Sequence, residues 1–299
     1  MICFYHADND GKCAGFWVNK LGQRDKYETY FYKIDYGIDF PIDRINDNEI
    51  VYIVDYSIPP EMMDRLLEIT PNVIWIDHHK SAIEKYADYD KEIAGLRYDG
   101  IAGCMLTYIY LYCMLNRETG KIVHEFDPAF AKTAPKFTKL VADYDVWTFE
   151  YGDQTRQFEK GMTLYDREPD DDIWFDLLTE ESLHEFARLF AICEQGKTII
   201  RYRENLMKDY CDKKGFVCEL DGYKCYAVNM ALMGTDDFVI RDVDSYDLLI
   251  SFSFDGKAWS YSLRSTTIDC AELAAKYGGG GHKGASGFIS DELLLKAAE

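Results

Sequence analysis

Val73-Ile74-Trp75-Ile76-Asp77-His78-His79 is a short apolar run that ends on an acid and two imidazoles. β-Branched and aromatic residues in so short a run read as a buried strand. Two runs of the same kind lie upstream: Ile2 to Tyr5 ends at His6, and Ile50 to Val54 ends at Asp55. Between them Cys13, Phe16, Trp17 and Leu21 recur at helical spacing, with Gly22 as the expected stop, and Tyr27 to Tyr36 reads as a further strand. Pro59 and Pro60 open a helix carrying Met62, Met63, Leu66 and Leu67. This β-α-β-β-α-β rhythm predicts an α/β fold whose N-terminal domain holds a largely parallel sheet with flanking helices.

Downstream, Ile101 to Leu115 reads as a buried helix, too short and too polar to span a bilayer. Ala129 to Asp143 also reads as helix. Glu150 to Asp172 reads as polar and irregular, with Asp170, Asp171 and Asp172 in a solvated loop. Glu180 to Lys214 has long helical periodicity, with a break expected near Gly196. Tyr223 to Asn229 and Leu248 to Phe254 read as strands, and Asp255-Gly256 as a tight hairpin turn. Cys270 to Tyr277 is a short helix before the run Gly278 to Gly281. The expected domains are therefore 1–180, a connector helix over 181–214, and a smaller C-terminal α/β domain over 215–299.

The chain has 299 residues, with 33 Lys and Arg against 53 Asp and Glu, a net charge of −20. Long DNA or RNA needs clustered positive charge, so a long-duplex binder is excluded as an expectation. A small anionic substrate is not, because bound divalent cations reverse the local field. The nine cysteines are scattered without C-x-x-C spacing and read as free thiols of a reducing compartment. Asp8, Asp10 and Lys12 interrupt the start before any long apolar run, so no leader and no membrane association are expected, and the location expected is cytoplasmic.

Each of the three strands runs into metal-ligand residue types: His6-Ala7-Asp8-Asn9-Asp10-Gly11, then Asp55, then Asp77-His78-His79. Sites in open parallel sheets form outside the carboxyl ends of the strands. One acid after a strand is ordinarily a helix cap, and one histidine is ordinarily packed or on the surface. The coincidence across three strands favours metal binding. A fourth candidate is Asp143, or its neighbour Asp145. Carboxylates with imidazoles suit a borderline-hard cation, best Mn²⁺. So many ligands exceed the need of one ion; two ions sharing a carboxylate would use them all, and such pairs, ~3.5–4 Å apart, clamp a phosphate for in-line attack. Gly278-Gly279-Gly280-Gly281-His282, followed by Lys283, reads as a loop that lets backbone N–H groups meet a phosphate or nucleotide.

Together these motifs resemble the DHH phosphoesterase superfamily. His6-Ala7-Asp8-Asn9-Asp10-Gly11 is similar to its first motif, Asp55 to its second, Asp77-His78-His79 to its signature and Asp143 to its fourth. Ser262-Leu263-Arg264-Ser265 and the 278–282 run resemble the DHH-associated substrate-binding domain of the RecJ-like and nano-RNase branch. The resemblance covers most of the chain. It implies that His6 and Asp8 hold one ion, that Asp10, His78 and Asp143 hold a second, and that Asp55 bridges them. It implies that His79 contacts the scissile phosphate and that Asp77 orients the histidines. Arg264, Gly279, Gly280, Gly281 and His282 are implied to grip the substrate's phosphate or terminal nucleotide. His6 stands where RecJ-like members carry Asp, and Asp145 remains open beside Asp143.

The expected function is two-metal hydrolysis of short oligonucleotides. The same site suits 3′-phosphoadenosine 5′-phosphate or cyclic and linear dinucleotides. A non-catalytic nucleotide binder is the contrasting class. Expected partners are a short oligonucleotide or mononucleotide, with homodimerisation open.

Overall fold

The computed structural model describes residues 1–299 except 36, 117–120, 123, 179–181, 232, 235–236 and 298–299. The side chains at 115, 116, 121, 122, 182–186 and 282 are also outside that description, as are the expected element ends at Tyr36 and Glu180. The chain divides into two compact units, Met1–Thr198 and Ile199–Glu299.

The first unit is built on four parallel strands in the order β2-β1-β3-β4: β1 Ile2–His6, β2 Tyr30–Ile34, β3 Val51–Val54 and β4 Val73–Ile76. β1 and β3 are central, and every residue but the terminal His6 is apolar and buried, because helices cover both faces. The strand period of two divides β1 between two cores. Cys3 and Tyr5 join one with Phe16, Trp17 and Phe137, and Ile2 and Phe4 join the other with Met63, Leu66 and Trp75. Helices α1 (Asn9–Asp25), α2 (Pro60–Ile69) and α3 (Lys80–Lys85) follow β1, β3 and β4.

Helix α1 does not stop at Gly22. It runs to Asp25, and Lys26 takes the left-handed conformation and donates its N–H to Gly22 O. Gly22 is there for space: a Cβ would lie 2.3 Å from Thr29 Oγ1. The 101–115 run is helical and buried, as α4 (Gly103–Tyr108) continued by a π-helical turn through Met114. A two-stranded ladder follows, β5 (Leu115–Asn116) with β6 (Lys121–Ile122).

The single helix expected over 129–143 is two pieces. Pro135 separates a 3₁₀ turn, Pro128–Thr133, from α5, Lys136–Asp145, since proline has no N–H for a helix interior. The stretch expected to be irregular holds α6 (Asp153–Met162), which buries Thr155, Phe158 and Met162 behind a polar outer face. Nor is the acidic run wholly solvated. Asp171 Oδ1 accepts the Ile173 N–H (3.0 Å) at the start of α7 (Asp172–Leu178). Helix α8 (Ser182–Lys214) continues through Gly196 without a break. Gly196 and Gly161 instead allow α8 and α6 to touch, because a Cβ at 196 would lie 1.7 Å from Gln157 O.

The second unit carries a six-stranded sheet in the order β11-β12-β10-β9-β8-β7, antiparallel except between β8 and β9. Its strands are β7 Gly215–Leu220, β8 Tyr223–Asn229, β9 Leu248–Phe254, β10 Trp259–Arg264, β11 Gly280–His282 and β12 Ala285–Ser290; α9 is Cys270–Ala275. The β9–β10 turn has four residues rather than two. Asp255 Oδ1 accepts from the N–H groups of Lys257 (2.8 Å) and Ala258 (2.9 Å), and Gly256 supplies φ +98°. All nine cysteines are free thiols. Among the described residues no helix is long and apolar enough to cross a membrane.

Candidate active site

Parallel pairing of β1, β2, β3 and β4 brings their carboxyl ends to one edge of the sheet. His6 closes β1. Asp8 then N-caps α1, its Oδ1 accepting the Gly11 N–H (2.9 Å), which leaves Oδ2 2.8 Å from His6 Nδ1. Only glycine fits at 11, since a Cβ would lie 2.3 Å from His6 O. Asp10 is buried. Its two oxygens accept the first N–H groups of α4, from Gly103 (2.6 Å) and Cys104 (3.1 Å), where the helix dipole favours an anion.

Asp55 follows β3 with φ +55°, a left-handed conformation uncommon outside glycine. It is 1% exposed and lies between two histidines: Oδ2 is 3.6 Å from His6 Nδ1, and Oδ1 is 3.2 Å from His78 Nε2. Gly103 makes room for it, because a Cβ there would stand 2.6 Å from Asp55 Cβ. Asp77 Oδ1 accepts the N–H groups of His78 (2.7 Å) and His79 (3.2 Å) and lies 2.7 Å from His79 Nδ1. It therefore fixes the turn that presents both imidazoles.

The two acids at the end of α5 part company. Asp145 Oδ2 is 3.4 Å from His78 Nε2, inside the cluster. Asp143 points the other way. Its carboxylate accepts from Thr148 Oγ1 (2.6 Å), Thr155 Oγ1 and the N–H groups of Glu150 (2.7 Å) and Tyr151 (3.2 Å). Those four bonds shape the 146–151 loop, in which Trp147 and Phe149 also have positive φ. The cluster thus contains Asp145 where the family pattern had pointed to Asp143. Residues two apart on a helix face nearly opposite ways, so register alone chooses between them.

Three sets bring ligand atoms within 4.8 Å of one another: His6, Asp8 and Asp55; Asp10, His78 and Asp145; and Asp55, His78 and His79. Burial, then the charges of Asp55 and Asp8, push the Asp10 carboxyl well above the usual carboxylate range. Burial likewise raises Asp55, with the charges of Asp8, Asp145 and Asp77 adding to it. Burial and Asp10 push Asp145 up to about 8. Burial alone would lower His6, but the facing carboxylates of Asp55 and Asp8 outweigh it and carry the imidazole to about 11. The Asp77 hydrogen bond raises His79 to about 9. The site therefore demands positive charge. Both oxygens of Asp55 and Oδ2 of Asp145 are buried without a hydrogen-bond partner among the described residues. A buried acceptor left so costs ~1–3 kcal/mol. Divalent cations fit this donor set of carboxylate oxygens and imidazole nitrogens.

Two further residues belong to this region. Asp35, one residue beyond β2, lies 3.5 Å from His6 Nε2. Lys33-Ile34-Asp35 repeats the strand-then-acid pattern of the other strands, so it was detectable in the sequence. Trp147, two residues past Asp145, is 64% exposed and sits among the rings of Tyr144 (5.8 Å) and Phe149 (5.2 Å). No sequence periodicity marks it.

In the second unit, Arg264 donates through Nη1 to Ser262 Oγ (2.8 Å) and Leu263 O (2.9 Å), and it forms no ion pair among the described residues. The glycine run is an edge strand rather than a free loop. Gly280, Gly281 and His282 pair with Gly287, Ser286 and Ala285 on β12. Gly279 and Gly281 lie too close to β12 for any side chain, with a Cβ at 279 lying 2.1 Å from Gly287 O. Gly280 faces open space.

This architecture defines a class: the chain has the fold of the RecJ-like proteins, and its strand-end motifs resemble those of the DHH phosphoesterase superfamily. Among individual proteins, it is 25% identical to oligoribonuclease NrnB of Bacillus subtilis, over 97% of this chain and 73% of that protein. It is 23% identical to the uncharacterised protein R106 of Acanthamoeba polyphaga mimivirus, over 85% of this chain but only 55% of R106. Among solved structures, the pGpG-specific phosphodiesterase PggH of Vibrio cholerae superposes with a TM-score of 0.50 at 12% identity, covering 97% of this chain and 93% of that one. RecJ of Thermus thermophilus in complex with Mn²⁺ superposes with a TM-score of 0.51 at 15% identity, covering 98% of this chain and 50% of that one. No protein-family model matches the chain.

Proposed function

We propose that this protein is a two-metal phosphodiesterase that hydrolyses short oligonucleotides. The observation that carries the reading is Asp55, buried and without a hydrogen bond to either oxygen among the described residues, with one oxygen toward His6 and the other toward His78. His6 and Asp8 would hold one ion, and Asp10, His78 and Asp145 the other, with Asp55 shared. Asp145 replaces Asp143 in this assignment because the four bonds to Asp143 leave its carboxylate occupied. Mn²⁺ suits the mixture of carboxylates and imidazoles best. Bound cations supply Lewis acidity, which makes water nucleophilic near neutral pH and neutralises phosphoryl charge.

The chain's own residues do the rest. Asp77 holds His79 by Nδ1 and keeps its imidazole cationic, so His79 stabilises charge that develops on a phosphoryl oxygen. Arg264 offers a planar fork to a phosphate, with Gly279 and the β11 residues Gly280, Gly281 and His282, beyond β12, completing the grip. A sugar oxygen is the leaving group, and no covalent intermediate is required.

The exposed indole of Trp147 is a platform for a substrate base, since two residues of chain span at most ~7 Å from Asp145. Stacking on an aromatic is sequence-tolerant and worth ~1–3 kcal/mol per base. Trp147→Ala is therefore expected to raise KM for a dinucleotide about tenfold, and Trp147→Phe much less. Steady-state kinetics check this, and an unchanged KM in the alanine variant removes the platform.

The reading as a whole is tested with a substrate panel in Mn²⁺: dinucleotides to about ten-nucleotide oligomers, 3′-phosphoadenosine 5′-phosphate, cyclic dinucleotides, pyrophosphate and bis-p-nitrophenyl phosphate. Turnover of the short oligonucleotides that stops with chelator is the expected result. Turnover confined to 3′-phosphoadenosine 5′-phosphate would make the protein a phosphatase. No turnover of any member would leave a nucleotide binder.

A further inference from the structure

The two nitrogens of His6 face different carboxylates. Nδ1 lies 2.8 Å from Asp8 Oδ2 and 3.6 Å from Asp55 Oδ2, and these three residues bring ligand atoms within 4.8 Å of one another. Nε2 lies 3.5 Å from Asp35 Oδ1. A histidine that binds a metal through one ring nitrogen commonly donates the N–H of the other to a carboxylate, a carbonyl or water. That second bond decides which nitrogen carries the proton and how the ring is turned. Asp35 stands where such an acceptor is needed.

The fold sets Asp35 in that place. His6 pairs with Ile34 in the parallel ladder, so Asp35 is the next residue beyond the strand edge. Its carbonyl accepts the Ile38 N–H (3.3 Å) and the Tyr56 hydroxyl (3.4 Å). Tyr56 is buried, its ring lies 6.1 Å from the His6 ring, and its own carbonyl accepts the Trp75 Nε1–H (3.0 Å). The backbone at 35 is thereby tied to the residue after Asp55 and, through Trp75, to β4. The carboxylate itself is half-exposed. Its separation from Nε2 is about 0.5 Å longer than an ordinary N–H···O bond, which a small turn of the side chain closes. Asp35 belongs to none of the three sets of converging ligand atoms among the described residues, so it acts through His6.

We propose that Asp35 is a positioning residue of the metal site: it accepts the Nε2–H of His6 and so turns Nδ1 toward the ion held with Asp8 and Asp55. The inference rests on the two-metal reading above and adds to it the ligating nitrogen and the residue that selects it. Water screens a half-exposed carboxylate, so its contribution is orientation more than charge. Partners of this kind are worth ~10–100-fold in metal affinity. Only the ion on the His6 side should feel the loss, because the other is assigned to Asp10, His78 and Asp145.

The test is calorimetric titration of Mn²⁺ into the metal-free full chain, with wild type beside Asp35→Ala and Asp35→Asn, and thermal melts of all three in chelator. Asp35→Ala should weaken one of the two ions ~10–100-fold and leave the other near its wild-type affinity. Asp35→Asn keeps an acceptor oxygen and should fall between them. Tm in chelator should stay put, since the lost carboxylate is at the surface. Nitrogen NMR of the imidazoles in the wild type loaded with diamagnetic Zn²⁺ should show His6 coordinated through Nδ1 and protonated at Nε2. Unchanged affinity for both ions in Asp35→Ala, or coordination of His6 through Nε2, overturns this inference while the two-metal reading stands. A wild type that binds no Mn²⁺ removes the two-metal reading and this one with it.

Discussion

Asp145→Ala is expected to abolish hydrolysis and weaken binding of one of the two Mn²⁺ ions more than a hundredfold in a protein that remains folded, whereas Asp143→Ala unfolds easily but keeps its metal affinity when folded. The two acids are one residue apart from being neighbours, yet they do opposite work. Asp145 Oδ2 is buried beside His78 without a hydrogen-bond partner among the described residues. Its removal relieves charge repulsion and costs the fold little. Loss of residues that merely support metal ligands already costs ~10–100-fold in affinity or activity, so loss of a ligand should exceed a hundredfold. Asp143 is 4% exposed and satisfies four donors that order the 148–155 segment. Each buried donor left unpaired costs ~1–3 kcal/mol, and partial relaxation brings the expected total to about 3–4 kcal/mol. At ~2–4 °C per kcal/mol for a unit of this size, Tm should drop by roughly 10 °C. Thermal melts in chelator and Mn²⁺ titrations of both variants separate the roles. A folded Asp143→Ala protein that no longer binds Mn²⁺, beside an Asp145→Ala protein that does, would reverse the assignment.

Asp55→Asn should give a metal-free protein more stable than the wild type, with neither hydrolysis nor a thermal response to Mn²⁺. Asp55 is a buried carboxylate whose charge is opposed first by burial and then by Asp8, Asp145 and Asp77. Asparagine keeps the shape, removes the charge and tolerates the left-handed backbone at φ +55° as well as any side chain but glycine's hydrogen. The buried charge at this position is held for function, and removing it trades activity for stability. In the wild type, Mn²⁺ at a hundred times its Kd should add ~2.7 kcal/mol, which is roughly 5–10 °C in Tm, and chelator should remove it. The variant should show a higher Tm in chelator and no increment with Mn²⁺. A lower Tm in chelator together with a preserved Mn²⁺ increment would show that Asp55 is neither a strained charge nor a shared ligand.

Much of the site was legible because strand ends are local features. An apolar run that stops at His6, at Asp55 or at Asp77-His78-His79 announces both the strand and its chemistry in the same few residues, and parallel pairing then gathers the ends. Asp35 obeys the same pattern after β2, but one exposed acid among many carries little signal. Helix α6 leaves little mark in the sequence because its buried Thr155, Phe158 and Met162 are sparse among charged residues. Gly196 and the 278–281 run looked like a break and a loop. In the fold the first is a helix contact and the second leads into an edge strand, since a glycine marks close approach as readily as it marks freedom.

Periodicity and composition by themselves determined the α/β class, the parallel first sheet, the second sheet with its short helix, and which residue types stand at the strand ends. These depend on spacing along the chain, where side-chain direction follows from a period of 2 or 3.6. Tertiary structure alone set Asp145 beside His78 and tied Asp143 to the 148–155 segment, placed Gly103 against Asp55, and aligned Ser251, Ser262, Gly287 and Gly280 across four strands. Each of those outcomes depends on which segment packs on which, and contacts between residues distant in sequence are set by the register of whole elements rather than by any local pattern.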